Sequence, residues 1–152
     1  MTPPDDKAGN INDTTPSTLV KHSRNYKDMV TRTGRYGMLD KPDGYGKRTG
    51  DCNDTIEIFL SIRANRIEMV TFIVDGCANT IACGNTVSML VEGRSITDAW
   101  QLSPENVINY LETLPEDHHH CAELAVGAFY KALTNYNRRL KEAWKNEYPN
   151  HG

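Results

Sequence analysis

The sequence predicts an α+β fold: a small antiparallel sheet of about three strands, covered by helices, with one long helix at the C-terminal end. Three observations predict it. Residues 55–62 alternate, with Ile56, Ile58, Leu60 and Ile62 on one face and Glu57 and Ser61 on the other, the period of a half-buried strand. Residues 67–74 are rich in β-branched side chains and follow the tight connection Arg63-Ala64-Asn65-Arg66, so the two segments read as a hairpin. Beyond Gly76-Cys77 the apolar spacing becomes helical and stays so.

Each further element has its own signal. Residues 1–17 hold three prolines and three aspartates, with only Met1, Ala8 and Ile11 as apolar side chains. Such a stretch cannot bury enough surface to offset its ordering entropy, so it reads as a disordered tail, and 18–148 as one domain. Ser17 or Thr18 opens a short helix through about Met29, with Leu19, Tyr26, Met29 and Val30 as its apolar stripe. The glycine-rich segment 31–51 reads as loop with one irregular strand. Cys83, Val87, Leu90 and Val91 share a helical face, with Asn79 or Thr80 as cap and Gly93 as the stop. Ser95 with Asp98 opens a second short helix, and Ser103-Pro104 a third that Pro115 closes. The long helix spans 119–147 and carries Leu124, Ala128, Phe129, Ala132, Tyr136, Leu140 and Trp144. It is long enough for its basic end to project past the core.

Composition narrows the function. With 38% hydrophobic and 24% charged residues, the chain can fill one ordinary core. No apolar run approaches the roughly 20 residues of a membrane span, and the first residues carry no basic start before an apolar stretch. A net charge of −3 gives no electrostatic case for nucleic acid. The expectation is a cytoplasmic protein without a membrane or nucleic-acid partner.

Four cysteines then need a reason: Cys52, Cys77, Cys83 and Cys121. In a reducing compartment they are not expected to form disulfides. Their separations of 25, 6 and 38 residues match neither zinc ribbons nor ferredoxin runs. Any shared site must therefore be assembled by the fold. Cys52 precedes the first strong strand with Asp54 two residues on; Cys77 sits at a strand-to-helix junction; Cys121 opens the long helix after His118-His119-His120. A helix N-terminus favours a thiolate, which predisposes Cys77 and Cys121 to bind a soft metal or carry sulfur. Chemistry alone leaves open whether Cys52, Cys77 and Cys121 meet. Cys83 is in phase with Val87 and Leu90, which is the pattern of a core residue. Adjacent helical residues point about 100° apart, so at most one or two of the histidines can face a given site. The chain has neither H-E-x-x-H nor the paired motif of zinc deaminases, which argues against a metal hydrolase.

Taken together, Cys52-x-Asp54, a hairpin ending in Gly76-Cys77, Ile81-Ala82 in the next helix, and His120-Cys121 before Leu124-Ala125 resemble the NifU/IscU family of iron–sulfur cluster assembly scaffolds. The segment 91–99 is also similar to that family's glycine-basic turn, and the resemblance runs from about residue 17 to 139. It implies a SufE/NifU-like fold and a scaffold rather than an enzyme. A cysteine desulfurase would supply persulfide sulfur, and a transient [2Fe–2S] or [4Fe–4S] cluster, which a homodimer could bridge, would pass to apo iron–sulfur proteins. Carried over by position, Cys52, Cys77 and Cys121 would be thiolate ligands, with Asp54 and His120 exchanging at the fourth position and Cys121 the first sulfur acceptor. The same donors suit zinc, which implies the alternative of a zinc-bound sulfurtransferase that relays persulfide.

The sequence departs from the family in four places. Asn53 replaces the usual glycine, and Asn tolerates unusual backbone angles. Cys83 stands where a serine is usual, which makes it an outside candidate for the site. Of the chaperone-binding motif Leu-Pro-Pro-Val-Lys only Leu114 and Pro115 match, which argues against dependence on an Hsp70-type chaperone. The SufU-type insertion between Cys77 and Cys121 is absent.

Overall fold

Strand chemistry organises the chain as the sequence predicts. The computed structural model describes residues 21–147. Within them lie α1 (Arg24–Thr31), β1 (Gly44–Thr49), β2 (Thr55–Arg63), β3 (Arg66–Asp75), α2 (Ala78–Val91), α3 (Ile96–Ala99), α4 (Pro104–Leu111), a 3-10 turn (Glu116–His118) and α5 (His119–Glu147). The strands form one antiparallel sheet in the order β1-β2-β3. Ala64 and Asn65 make the β2–β3 turn with φ of 52° and 62°, the left-handed pair whose twist matches a hairpin. A bulge between Ser61 and Ile62 shifts the register at that end. No helix among the described residues is long and apolar enough to cross a membrane.

The alternation of β2 delivers Ile56, Ile58 and Leu60, all fully buried, to the face shared with Val70 and Phe72 of β3. These pack with Ala82, Val87, Leu124, Ala128 and Phe129 from α2 and α5. Each large side chain so buried contributes about 1.5–3 kcal/mol. The opposite face is not simply polar. Phe59, set between Tyr45 and Thr71 in the sheet register, is only 4% exposed, and its ring lies 5.2 Å from that of Tyr45.

Helix ends differ from the sequence reading where tertiary partners intervene. The first helix was expected from Ser17 or Thr18, positions that lie outside the described residues together with Leu19 and the tail at 1–17. In the structure Ser23 is the N-cap. Its Oγ accepts from the Tyr26 N–H at 3.0 Å and donates to the Leu111 carbonyl at 2.6 Å, which ties the helix start to α4. Cys77, not Asn79 or Thr80, is the N-cap of α2, and its side chain makes no cap bond. Asn79 instead accepts from the Tyr26 hydroxyl, and Thr80 turns to Asp54. The stop at Gly93 (φ 86°) and the caps at Ser95 and Ser103 follow the sequence, but the full capping box forms at Ser103 with Asn106 rather than at Ser95 with Asp98. The irregular strand foreseen within 31–51 is β1, regular over six residues.

Two devices position the strands for the site. The outer edge of β3 is sealed. Phe72 N–H donates to the Arg35 carbonyl at 3.1 Å and Gly37 N–H to the Phe72 carbonyl at 2.8 Å. The Tyr36 hydroxyl donates to the Val74 carbonyl and accepts from its N–H. These bonds use up a row of edge groups that would otherwise invite pairing. On the other side, α5 lies directly on β1. A methyl at Gly46 would land on the Ala128 carbonyl oxygen and 2.5 Å from the Ala132 nitrogen. At 29 residues α5 is about 43 Å long, and Leu140 and Trp144, 53% and 48% exposed, lie on the part that projects past the core.

Gly46→Ala is therefore expected to lower the unfolding free energy by roughly 1–3 kcal/mol, because helix and strand must separate to admit the methyl. Gly34→Ala, with nothing within 4 Å of the added carbon, should stay within about 0.5 kcal/mol of the parent. Urea denaturation of both variants checks the contrast.

Candidate metal centre

Sheet topology brings distant chain segments to one end. Thr55 pairs with Thr49 on one side and Asp75 on the other, so the β1–β2 loop and the exit of β3 lie side by side. The loop closes on itself: Gly50 N–H donates to the Asp54 carbonyl and Asn53 N–H to the Gly50 carbonyl, both at 2.9 Å. Asn53 sits at φ 69°, the left-handed conformation that the departure from glycine required it to tolerate. The first turns of α5 reach the same end along β1.

Asp54, Cys77 and Cys121 meet there, and one ligand atom from each lies within 4.8 Å of the other two. The Asp54 carboxylate rests against Gly76, where any Cβ would collide with it, which accounts for glycine before Cys77. Its Oδ2 accepts from the Cys77 N–H at 3.2 Å and the Thr80 hydroxyl at 2.7 Å. Chiefly through Thr80, and further through the Cys77 N–H and the Cys77 and Cys52 thiols, the carboxyl is held below its ordinary range although burial works against this. Asp54 is thus an anion in place, hydrogen-bonded and only half-buried.

Cys121 behaves otherwise than a helix N-terminus suggests. It is fully buried, and burial is the main cause that pushes its thiol up to about 12; Cys77 and Asp54 add to this and the Thr80 hydroxyl opposes it. The 3-10 turn also runs directly into α5, so the thiol does not sit at an open helix end. In the metal-free protein Cys121 is a neutral thiol. Cys83 lies in the core cluster beside Val87, fully buried, its thiol pushed well up by burial and then by Cys121 and Cys77.

The remaining candidates line the approach. Cys52 is exposed, and with His120, Arg48 and Glu123 it lines a cleft of about 460 Å³ between the β1–β2 loop and α5. His120 Nε2 is 3.8 Å from Cys121 Sγ. His118 stacks on His120 and pairs with Asp117 at 3.0 Å, while His119 turns to the Leu114 carbonyl at 3.3 Å. Of the triplet, His120 is the member that reaches Cys121. Sequence reasoning missed Thr80 as part of the site. A Thr in the first turn of a helix reads as a cap, and only the position of Asp54 reveals what its hydroxyl holds.

The donors suit a metal: two thiols and a carboxylate close enough for one ion, with a further thiol and an imidazole beside them. Comparison with known proteins gives the family. The family described as NifU-like N terminal domain matches residues 28–143. An iron-sulfur cluster assembly scaffold protein, IscU 1 of Archaeoglobus fulgidus, is 31% identical over 104 residues, covering 68% of this chain and 68% of that protein. The iron-sulfur cluster assembly protein IscU of Plasmodium falciparum is 26% identical over 137 residues, covering 86% and 83%. Among solved structures, an iron-sulfur cluster assembly scaffold protein for the SUF system from Fervidobacterium islandicum superposes with a TM-score of 0.62 at 16% identity, over 73% of this chain and 95% of that one. A NifU-like N-terminal protein from Brucella abortus gives 0.61 at 16%, over 76% and 94%. The two structures share the fold. The chain belongs to the NifU-like N-terminal domain family.

Two outcomes follow from the buried thiols. A thiol whose folded pKa lies above its unfolded value stabilises fully below the unfolded value, and that stability is lost as pH rises toward the folded one. For Cys121 the window opens near the ordinary 9.0 and runs to about 12. Metal-free protein in reductant and chelator should lose stability above about pH 9, and Cys121→Ser should lose less between pH 9 and 10, with a slope shallower by at most ~1.4 kcal/mol per pH unit. Urea midpoints across that range test it. Cys83→Ser should cost about 1–3 kcal/mol through a hydroxyl placed in an apolar core, and leave Co2+ binding at the site unchanged.

Proposed function

We propose that the chain is a scaffold on which an iron–sulfur cluster is assembled from iron and persulfide-derived sulfur, and from which it passes to apoproteins. The observation that carries this is the meeting of Asp54, Cys77 and Cys121 at one sheet end, in a chain of this family. Thiolates hold iron firmly, whereas a hard carboxylate is a poorer partner, so a mixed set favours a cluster that is held and then given up. Cys52 and His120, which line the neighbouring cleft, would complete the ligand set, with His120 exchanging with Asp54. The cluster, [2Fe–2S] or [4Fe–4S], is cargo and not a resident group.

The residues have distinct tasks. Cys121 receives sulfur: its sulfur attacks the outer sulfur of a desulfurase persulfide, the S–S bond to the desulfurase breaks, and the desulfurase cysteine leaves as thiolate. Because Cys121 is buried and neutral, this requires the sulfur to become accessible and the thiol proton to depart on sulfur or metal arrival. A cysteine desulfurase and apo iron–sulfur proteins are accordingly the partners, and the reducing cytoplasm the setting. Zinc suits the same donors, so a zinc-bound chain that relays persulfide without building a cluster is the second reading.

Anaerobic incubation of the metal-free protein with iron, cysteine and a cysteine desulfurase should produce visible sulfide-to-iron charge-transfer bands that fade when an apo-ferredoxin is added. A colourless protein that gains persulfide mass and retains zinc would establish the relay instead. Cys121→Ser should abolish persulfide loading; undiminished loading, with loss in Cys52→Ser, would transfer the acceptor role to the exposed thiol. Asp54→Ala should lengthen cluster lifetime, and a shorter lifetime would remove Asp54 as the release ligand.

A further inference from the structure

Thr80 is fully buried, and its hydroxyl stands among the three candidate ligands. Its Oγ1 lies 2.7 Å from Asp54 Oδ2, 3.4 Å from Cys121 Sγ and 3.7 Å from Cys77 Sγ. A hydroxyl has one proton, so a bond donated to Asp54 cannot at the same moment be donated to Cys121. The Cys77 N–H donates to the same carboxylate oxygen at 3.2 Å. Both bonds converge on Oδ2, which leaves Oδ1 as the oxygen they do not occupy.

We infer that Thr80 is a positioning residue of the metal site, whose single hydroxyl proton, aimed at Asp54 Oδ2, keeps Asp54 a weak one-oxygen ligand and, when turned to Cys121 Sγ, releases it to bind more strongly. This rests on Asp54, Cys77 and Cys121 being ligands. A carboxylate oxygen that already accepts an O–H and an N–H has less charge to offer a cation, and must give up a bond before both oxygens can engage. Turning the proton requires only rotation about the Cβ–Oγ1 bond, since both acceptors are within reach of the same oxygen. Thr80 is fully buried, so the space its hydroxyl leaves on that side of the half-buried carboxylate is not open to bulk water, and its loss is felt at Oδ2. A hydrogen bond to a charged acceptor corresponds to roughly ten- to a hundredfold in an equilibrium.

Anaerobic Co2+ titration of the reduced, metal-free protein tests this, read from the thiolate-to-cobalt charge-transfer band and the d–d envelope. Thr80→Val keeps the branched shape and removes the proton. It should bind Co2+ about tenfold more tightly than the parent, with a changed d–d envelope as Asp54 coordination changes. Thr80→Ser should restore parent behaviour, and Thr80→Ala should tighten binding as valine does, so that a packing fault of one variant does not decide the outcome. In an Asp54→Ala background, Thr80→Val should bring no tightening. Unchanged or weaker binding with Asp54 present, or equal tightening in both backgrounds, overturns the inference while leaving the ligand assignment intact. A parent protein without any thiolate-to-cobalt band overturns the ligand assignment, and the inference with it.

Discussion

The close approach of α5 to β1 is the constraint on which the site depends. Gly44 and Gly46 remove the side chains that would hold helix and strand apart, and the helix backbone at Ala128 and Ala132 occupies that space. This fixes how far along the sheet the helix begins. A slip of one residue would move Cys121 by about 1.5 Å along the axis and turn it by about 100°, enough to take its sulfur away from Asp54 and Cys77. Two small residues in an edge strand thus set the geometry of a sulfur atom many residues later.

The second determinant is how the molecule keeps a polar cluster folded without a metal. Asp54 stays charged because hydrogen bonds from Thr80 and Cys77 replace water. Cys121 and Cys83 stay neutral because burial disfavours their thiolates. Metal binding must therefore release protons from sulfur, and affinity rises with pH for the same reason that stability falls. A site of this kind keeps its donors hydrogen-bonded or protonated without a metal. The sealed edge of β3 belongs to the same design, since it steadies the strand that leads into Gly76 and Cys77.

Much of the fold is legible along the chain because it rests on local chemistry. The period-two alternation of β2, the Ala64-Asn65 turn, the caps at Ser95 and Ser103, the stop at Gly93 and the extent of α5 are each written within a few residues. The misreadings share one cause. Ser23 caps α1 and Cys77 caps α2, because each answers to a partner far away in sequence: Leu111 and Asp54 respectively.

The site divides along the same line. The order of cysteines, the Cys52-x-Asp54 spacing, the tolerance of Asn53 for a positive φ and the core phase of Cys83 are properties of the sequence by itself. They determined the chemistry on offer: soft sulfur, one carboxylate and one imidazole. Tertiary structure alone decided which donors meet and in what protonation state. Asp54, Cys77 and Cys121 come together, while Cys52 and His120 line the neighbouring cleft. The reason is physical. Burial and hydrogen-bond partners are set by what the fold places within a few ångströms, so the dipole argument that favours a thiolate at a helix start gave way at Cys121 to the desolvation of a fully buried sulfur.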